Sequence, residues 1–238
     1  MLANYTYDLT EDGSPTLTWD SKEAMHNRKG AYSETQYIYG DALRMPGLGG
    51  RRSVYVVGLG LGYIELLAVA EALKAGEIES LSLLTAEIDP GLVREFLNWL
   101  RFEQSALKEA CDLLYSFYQR DYPGLDLKGT LLKLYENGQW QIMGELNLET
   151  IPKRKFTHLL FDAFSSKSTP ALWDEYFLEV FLNQLSEIES TVFATYACKG
   201  ILVRALKKEG YHVIKKTGFS GKRDSTLALR GTASLHNL

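Results

Sequence analysis

Cysteine is scarce. Cys111 and Cys198 are the only two in 238 residues, far apart and in no CxxC or zinc-type spacing. That excludes a disulfide scaffold and a metal knuckle, and it fits a reducing, cytoplasmic setting. The four histidines, His26, His158, His212 and His236, form no ligand spacing either, so no metal centre is expected. Long apolar runs are also missing. The nearest, Val54 to Leu73, is interrupted by Gly58, Gly60 and Gly62 and by Glu65 and Glu71, so no membrane span is expected. The opening MLANYTYDLTEDG has no basic region followed by an apolar stretch, which argues against a secretory signal. A dominant charge sign is absent too: 26 Lys+Arg stand against 30 Asp+Glu, net -4. Total charge therefore gives no attraction to nucleic acid, and such a partner would need a local patch. With 45% hydrophobic and 24% charged residues and no internal repeat, the chain is neither disordered nor fibrous.

What is present is alternation. Asp12-Gly13, between TYDLT and TLTW, is a hairpin signal, because a tight turn needs positive φ and Asp-Gly tolerates it. Residues 1–50 are therefore expected to form a small N-terminal β appendage. From Arg52 apolar strands alternate with helices. SVYVVG is followed by a helix ending at Gly76, LSLLTAE by a helix opened by Pro90, then come a helix over about 104–118 and the strand HLLFDAF. LLKLYENGQWQIM, two alternating runs about Asn137-Gly138, predicts a β-hairpin insertion near 130–144. Helix ALWDEYFLEVFLNQL, strand STVFATYA, helix GILVRALKKEG and a closing pair of strands complete the chain. Strand and helix in turn over 51–238 indicate an α/β domain with a mostly parallel sheet covered on both faces.

The chemistry-bearing residues fall at strand ends. Gly58-Leu59-Gly60-Leu61-Gly62 joins a strand to a helix, where glycines let a ligand approach the backbone. Tyr63 stands where a dinucleotide fingerprint would need its third glycine, which leaves a nucleoside without a pyrophosphate, S-adenosylmethionine first among them. Glu87, ending the next strand, can accept from both hydroxyls of a ribose, and Asp89 caps the helix after it. Glu145 can reach an adenine amino group or be an exposed acid. In HLLFDAFSSKSTPALW, Asp162 can hold an amine's hydrogen and Phe164 can stack on a base, while Trp173 fits core packing. Close packing by the glycines, a solvated Glu87 and a capping Asp162 are the plain structural alternatives.

Taken in order, these residues resemble a known family. His26, Gly30-Ala31, Glu34-Thr35, the glycine loop, Glu87 with Asp89-Pro90 and Gly144-Glu145 are followed by Asp162-Ala163-Phe164, Pro170 and Trp173. Ala194-Thr195-Tyr196-Ala197, Gly218-Phe219 and Lys222-Arg223 end the series. The pattern resembles the methyltransferase domain that acts on the transfer-RNA wobble uridine, in the bifunctional 5-methylaminomethyl-2-thiouridine biosynthesis protein and its stand-alone relatives. Val56, Leu61, Ile64 and the loop AFSSKST depart from the usual family residues. The resemblance implies a class I S-adenosylmethionine-dependent methyltransferase fold, Rossmann-like with a seven-stranded mostly parallel sheet. It implies methylation of the primary amine of 5-aminomethyl(-2-thio)uridine at position 34. It would place Gly58, Gly60, Gly62, Glu87 and Glu145 on the cofactor, Asp162 on the amine, and Phe164, Lys222 and Arg223 on the substrate. No second glycine fingerprint follows within the 238 residues, so the flavin-dependent half is not expected here.

Charge distribution fits an RNA partner. Residues 71–150 hold 14 acidic and 7 basic side chains. Lys199, Arg204, Lys207, Lys208, Lys215, Lys216, Lys222 and Arg223 crowd the stretch 196–223 against Glu209 alone. Such a face could meet phosphates, or could be an ordinary solvated surface. Rival readings are a methyltransferase for another amine or small molecule, an aminopropyltransferase of the spermidine-synthase kind, and a non-catalytic module. The second would want another carboxylate close after Asp162, where Ser165 and Ser166 stand.

Overall fold

The computed structural model describes residues 4–19, 23–45, 49–221 and 224–231. Strands β1 (Tyr5–Leu9) and β2 (Pro15–Trp19) pair antiparallel across the Asp12-Gly13 turn, in the register Leu9 to Pro15. A short β3 (Glu23–Ala24) completes this three-stranded sheet. Asp12 does more than turn the chain. Its carboxylate accepts from Thr10, Ser14 and Ser33, which ties the turn to helix α1 (Ala31–Ile38). Burial opposes its charge, but these hydrogen bonds hold its pKa down at about 2. Helix α2 (Gly40–Arg44) follows, so the described residues before residue 51 form a unit of strands and helices, where a small β appendage was expected.

The large sheet runs β6-β5-β4-β7-β8-β10-β9. In chain order its elements are β4 (Arg52–Val57), α3 (Tyr63–Ala75), β5 (Leu81–Ala86), α4 (Pro90–Leu100), α5 (Lys108–Asp121), α6 (Leu127–Glu136) and β6 (Trp140–Met143). Then come β7 (His158–Phe161), α7 (Glu175–Leu185), β8 (Ser190–Thr195), α8 (Gly200–Lys208), β9 (His212–Lys216) and β10 (Ser225–Gly231). β6, β5, β4, β7 and β8 are mutually parallel; β10 runs antiparallel to β8 and β9. This is the mostly parallel seven-stranded sheet of the class I methyltransferase fold. Both faces are covered because each strand alternates: Val54 and Val56 enter one core, Tyr55 and Val57 the other.

The expected hairpin insertion near 130–144 does not exist. Leu127–Glu136 is a helix, and Trp140–Met143 pairs parallel with β5. The apparent alternation of LLKLY is incidental. Leu127, Leu131 and Leu134 bury one helical stripe, at the i, i+4, i+7 spacing, and Asp126 caps the helix on the Gly129 N–H. Gly138, at φ +78, is the left-handed residue that ends a helix, and the same Asn-Gly pair could equally have turned a hairpin.

The N-terminal unit is locked to the sheet. The Tyr63 hydroxyl donates to the Pro15 carbonyl at 2.6 Å, and Tyr118 donates to the Tyr63 carbonyl at 2.5 Å. Arg52, buried at the start of β4, pairs with Glu77 at 2.8 Å and also donates to the Leu43 carbonyl of α2. Among the described residues, no helix is long and apolar enough to cross a membrane.

Candidate active site

The parallel strands all end at one edge, and the chain leaves β4 for one side and β7 for the other. That divergence opens a crevice at the carboxyl ends, the place where open α/β sheets bind ligands. Here it is a cavity of about 1230 Å³. A pocket for one small ligand is roughly 300–1,000 Å³, so there is room for a nucleoside and part of an acceptor together.

Gly58 follows β4 at φ +94, with its N–H on the Ala86 carbonyl; a Cβ there would lie 3.0 Å from the Asp162 carbonyl oxygen. Leu59 and Gly60 direct their N–H groups to Glu87 Oε2 at 3.0 and 3.5 Å, and Asp89 N–H donates to Oε1 at 3.0 Å. Glu87 thus braces the loop with three of about four acceptor positions and keeps one for a ligand. Burial raises its pKa, and those backbone donors oppose the rise. Gly62 departs from the expectation. Gly58 and Gly60 line the cavity, but Gly62 sits at the start of α3 against Phe96 and does not. Asp89 caps α4 through the N–H groups of Gly91 and Leu92. Glu145 lies after β6, exposed, on the cavity rim.

Asp162 follows β7, with its N–H on the Val57 carbonyl at 3.0 Å and its Oδ1 accepting from the Tyr39 hydroxyl at 2.6 Å. Burial pushes its pKa up to about 7; Tyr39 works against the rise and Glu34 adds to it. Phe164 also lines the cavity and is held from two sides. Its carbonyl accepts from Thr169 and from the Trp173 indole at 2.8 and 2.7 Å, and its ring stacks on Trp19 at 6.1 Å. Trp173 itself packs edge-on against Phe161, as core packing requires. Glu23 of β3 holds the same loop through Ser165 N–H at 3.0 Å and the Ser165 and Ser168 hydroxyls. His26 lines the cavity beside Tyr63, and burial lowers its pKa to about 4, so it is neutral.

Tyr39 and Glu23 carry no local sequence signal. Both come from the N-terminal unit, and their partners lie 123 and 142 residues away. The basic stretch 196–223 is also different from its sequence appearance. Arg204 pairs with Glu175, Lys208 with Glu179 and Lys216 with Asp41, while Lys199 lies over the Trp173 ring. Glu175, Glu179 and Asp41 thus offset three of the eight positive charges in this stretch. Lys222 and Arg223 lie outside the described residues. Among the described residues no three His, Cys, Asp or Glu side chains cluster to hold a metal ion.

Behind the glycine loop, Glu65 of α3 is fully buried, with Oε1 accepting from Thr85 at 2.8 Å and Oε2 unpartnered. Burial raises its pKa from 4.5 to about 8. The folded state then keeps a proton that the unfolded chain releases near pH 4.5, so stability falls as pH rises from about 4.5 to about 8, by about a few kcal/mol. Glu65→Gln removes this dependence. Its melting temperature should exceed the parent's at pH 8 by several degrees and match it near pH 5, measured by calorimetric scans across that range.

The comparisons with known proteins agree with this geometry. Residues 132–231 match the family model for S-adenosyl-L-methionine-dependent methyltransferases. The chain is 32% identical over 96 residues to the tRNA 5-methylaminomethyl-2-thiouridine biosynthesis bifunctional protein MnmC of Legionella pneumophila, covering 40% of this chain and 14% of that protein. The family model covers less than half of this chain. The corresponding protein of Hahella chejuensis is 32% identical over 68 residues, 29% of this chain and 10% of that one. The aligned part thus spans about a seventh or less of these relatives' length. Among solved structures, MnmC2 of Aquifex aeolicus superposes with a TM-score of 0.62 at 20% identity, covering 94% of this chain and 70% of that one. Spermidine synthase of Thermotoga maritima follows at 0.55 and 14% identity, covering 95% and 69%. Both likenesses speak for the shared fold.

Proposed function

We propose that this chain is an S-adenosyl-L-methionine-dependent methyltransferase acting on the aminomethyl nitrogen of 5-aminomethyl(-2-thio)uridine at wobble position 34 of transfer RNA, with Asp162 orienting the amine. The observation that carries the reading is the Asp162 carboxylate on the wall of a cavity large enough for two ligands, with the Phe164 ring on the same wall. The similarity to proteins named for that modification supports the acceptor.

The residues fit the cofactor. A Cβ at Gly58 would crowd the Asp162 carbonyl, so backbone forms that wall, and Glu87 is braced at the strand end with one acceptor position left for a ribose hydroxyl. Glu145, on the cavity rim, is the residue this reading assigns to an adenine amino group. S-adenosyl-L-methionine supplies an electrophilic methyl on a sulfonium sulfur, so the protein has mainly to align an unprotonated nucleophile. Asp162 accepts a hydrogen from the amine, directs its lone pair and stabilises the positive charge that grows on nitrogen. Phe164 offers a face on which a base can stack.

The test is transfer of labelled methyl from S-adenosyl-L-methionine to transfer RNA isolated from cells lacking this methylation, with nucleosides identified after digestion. Label in 5-methylaminomethyl(-2-thio)uridine supports the reading; tight cofactor binding without label in RNA, or label only in small amines, overturns it. Glu87→Ala should weaken cofactor binding by about 10- to 100-fold in calorimetry, the loss of hydrogen bonds to a charged acceptor. Unchanged affinity would remove Glu87 from the cofactor site.

A further inference from the structure

Among the described residues Asp162 is served by a single side-chain donor, and that donor comes from the N-terminal unit. Tyr39, at the junction of α1 and α2, is 2% exposed and donates its hydroxyl to Oδ1 at 2.6 Å. The aspartate backbone is fixed as well, by its N–H on Val57 and by its carbonyl against Gly58. With Oδ1 engaged, Oδ2 is the oxygen left to meet a ligand in the cavity that Asp162 and Tyr39 line together.

The geometry points to Tyr39 as the positioning residue of this site: its hydroxyl sets the orientation of the Asp162 carboxylate through Oδ1, favours its ionised form, and leaves Oδ2 to take the acceptor's N–H. This rests on Asp162 being the group that orients the amine. The ionisable neighbours of Asp162 are Glu34 from α1, Glu65 from α3, Tyr196 after β8, and Tyr39 itself. Glu34 is an acid whose charge disfavours a further carboxylate, Glu65 keeps its proton up to about pH 8, and the Tyr196 hydroxyl is turned to the Ala163 carbonyl at 2.9 Å. Tyr39 is therefore the neighbour that favours the charged form. The phenol is itself fully buried and its own ionisation is strongly disfavoured by burial and by Asp162, so it remains a donor throughout the working range.

Two measurements test the inference on the intact chain. In protein labelled with ¹³C at the aspartate carboxyl carbons, and assigned with Asp162→Asn, the Asp162 titration should move up by about one pH unit or more in Tyr39→Phe. Tyr37→Phe, which removes an exposed hydroxyl bonded to the Thr217 carbonyl, should leave it in place. A fluorinated tyrosine at position 39, a stronger donor of nearly the same shape, should move it down, which covers the case of a Phe variant that fails to fold. In parallel, the acidic limb of the pH–rate profile for the amine acceptor should follow the titration. At pH 7 Tyr39→Phe should be slower by about 10-fold with cofactor affinity unchanged, and the deficit should narrow above pH 9. An unmoved Asp162 titration in folded variants overturns the inference, and so does a titration that moves without the limb. If the parent enzyme methylates no amine, the functional reading fails on its own, and the carboxyl titration still decides whether Tyr39 controls Asp162.

Discussion

Replacing Asp162 by asparagine should lower turnover on an amine acceptor by about 10²- to 10⁴-fold, the range of a positioned proton acceptor, while cofactor affinity changes by less than about threefold. Asparagine keeps an Oδ1 that can still accept from Tyr39, so the 2.6 Å contact and the packing of the loop after β7 have no reason to change. What disappears is the negative charge beside the reacting nitrogen. Because burial holds the Asp162 pKa at about 7, parent activity should climb between about pH 6 and 8 as the carboxylate ionises, and the variant should lose that rise. Single-turnover rates with labelled methyl donor, set beside calorimetric affinities, check both parts. An equal loss of rate and affinity would make Asp162 a cofactor ligand and remove it from the acceptor side.

A large loss of stability is expected for Gly62→Ala. The residue opens α3 at φ +76, where an L side chain costs roughly 1–2 kcal/mol, and a Cβ would stand 2.2 Å from Phe96 Cζ and 2.4 Å from Cε2. Phe96 is fully buried in the core, so it cannot swing aside, and overpacking adds about 1–3 kcal/mol. The sum, about 2–5 kcal/mol, corresponds to a fall of roughly 4–20 °C in melting temperature for a chain of this size. Gly76→Ala is the control: φ is +69, and nothing lies within 4 Å of the new Cβ, so only the backbone cost applies. Adding Phe96→Leu to Gly62→Ala should restore part of the loss, and a double-mutant cycle measures that share. If the two glycine variants melt alike, contact with Phe96 contributes nothing.

Much of the architecture was legible. The turn at Asp12-Gly13, the helix stop at Gly76, the helix start at Pro90 with Asp89 as cap, and the antiparallel closing strands are local devices, each decided by one or two residues. Where two local devices share a signature, the sequence reading failed. Asn137-Gly138 suits a hairpin tip and a helix end equally, and Leu127, Leu131 and Leu134 bury a helical stripe that the alternating lettering concealed. At the site, Glu87 and Asp162 were visible because an apolar run delivers each to the end of a strand. Gly62 shared the motif of Gly58 and Gly60, but its face turns to Phe96, a side chain of α4.

The sequence by itself determined the alternation of strands and helices outside the N-terminal helices and the stretch 127–143, the loop of glycines after the first strand of the domain, and the carboxylates at the strand ends. These follow from periodicity and backbone preference, which act over a few residues. Only the tertiary structure decided that the chain diverges between β4 and β7 to open the cavity, that Tyr39 donates to Asp162 across 123 residues, and that Glu175, Glu179 and Asp41 neutralise Arg204, Lys208 and Lys216. The physical reason is range: a hydrogen bond or an ion pair depends on a separation of about 3 Å in space, and residue spacing along the chain carries no information about that distance once helices and strands have packed.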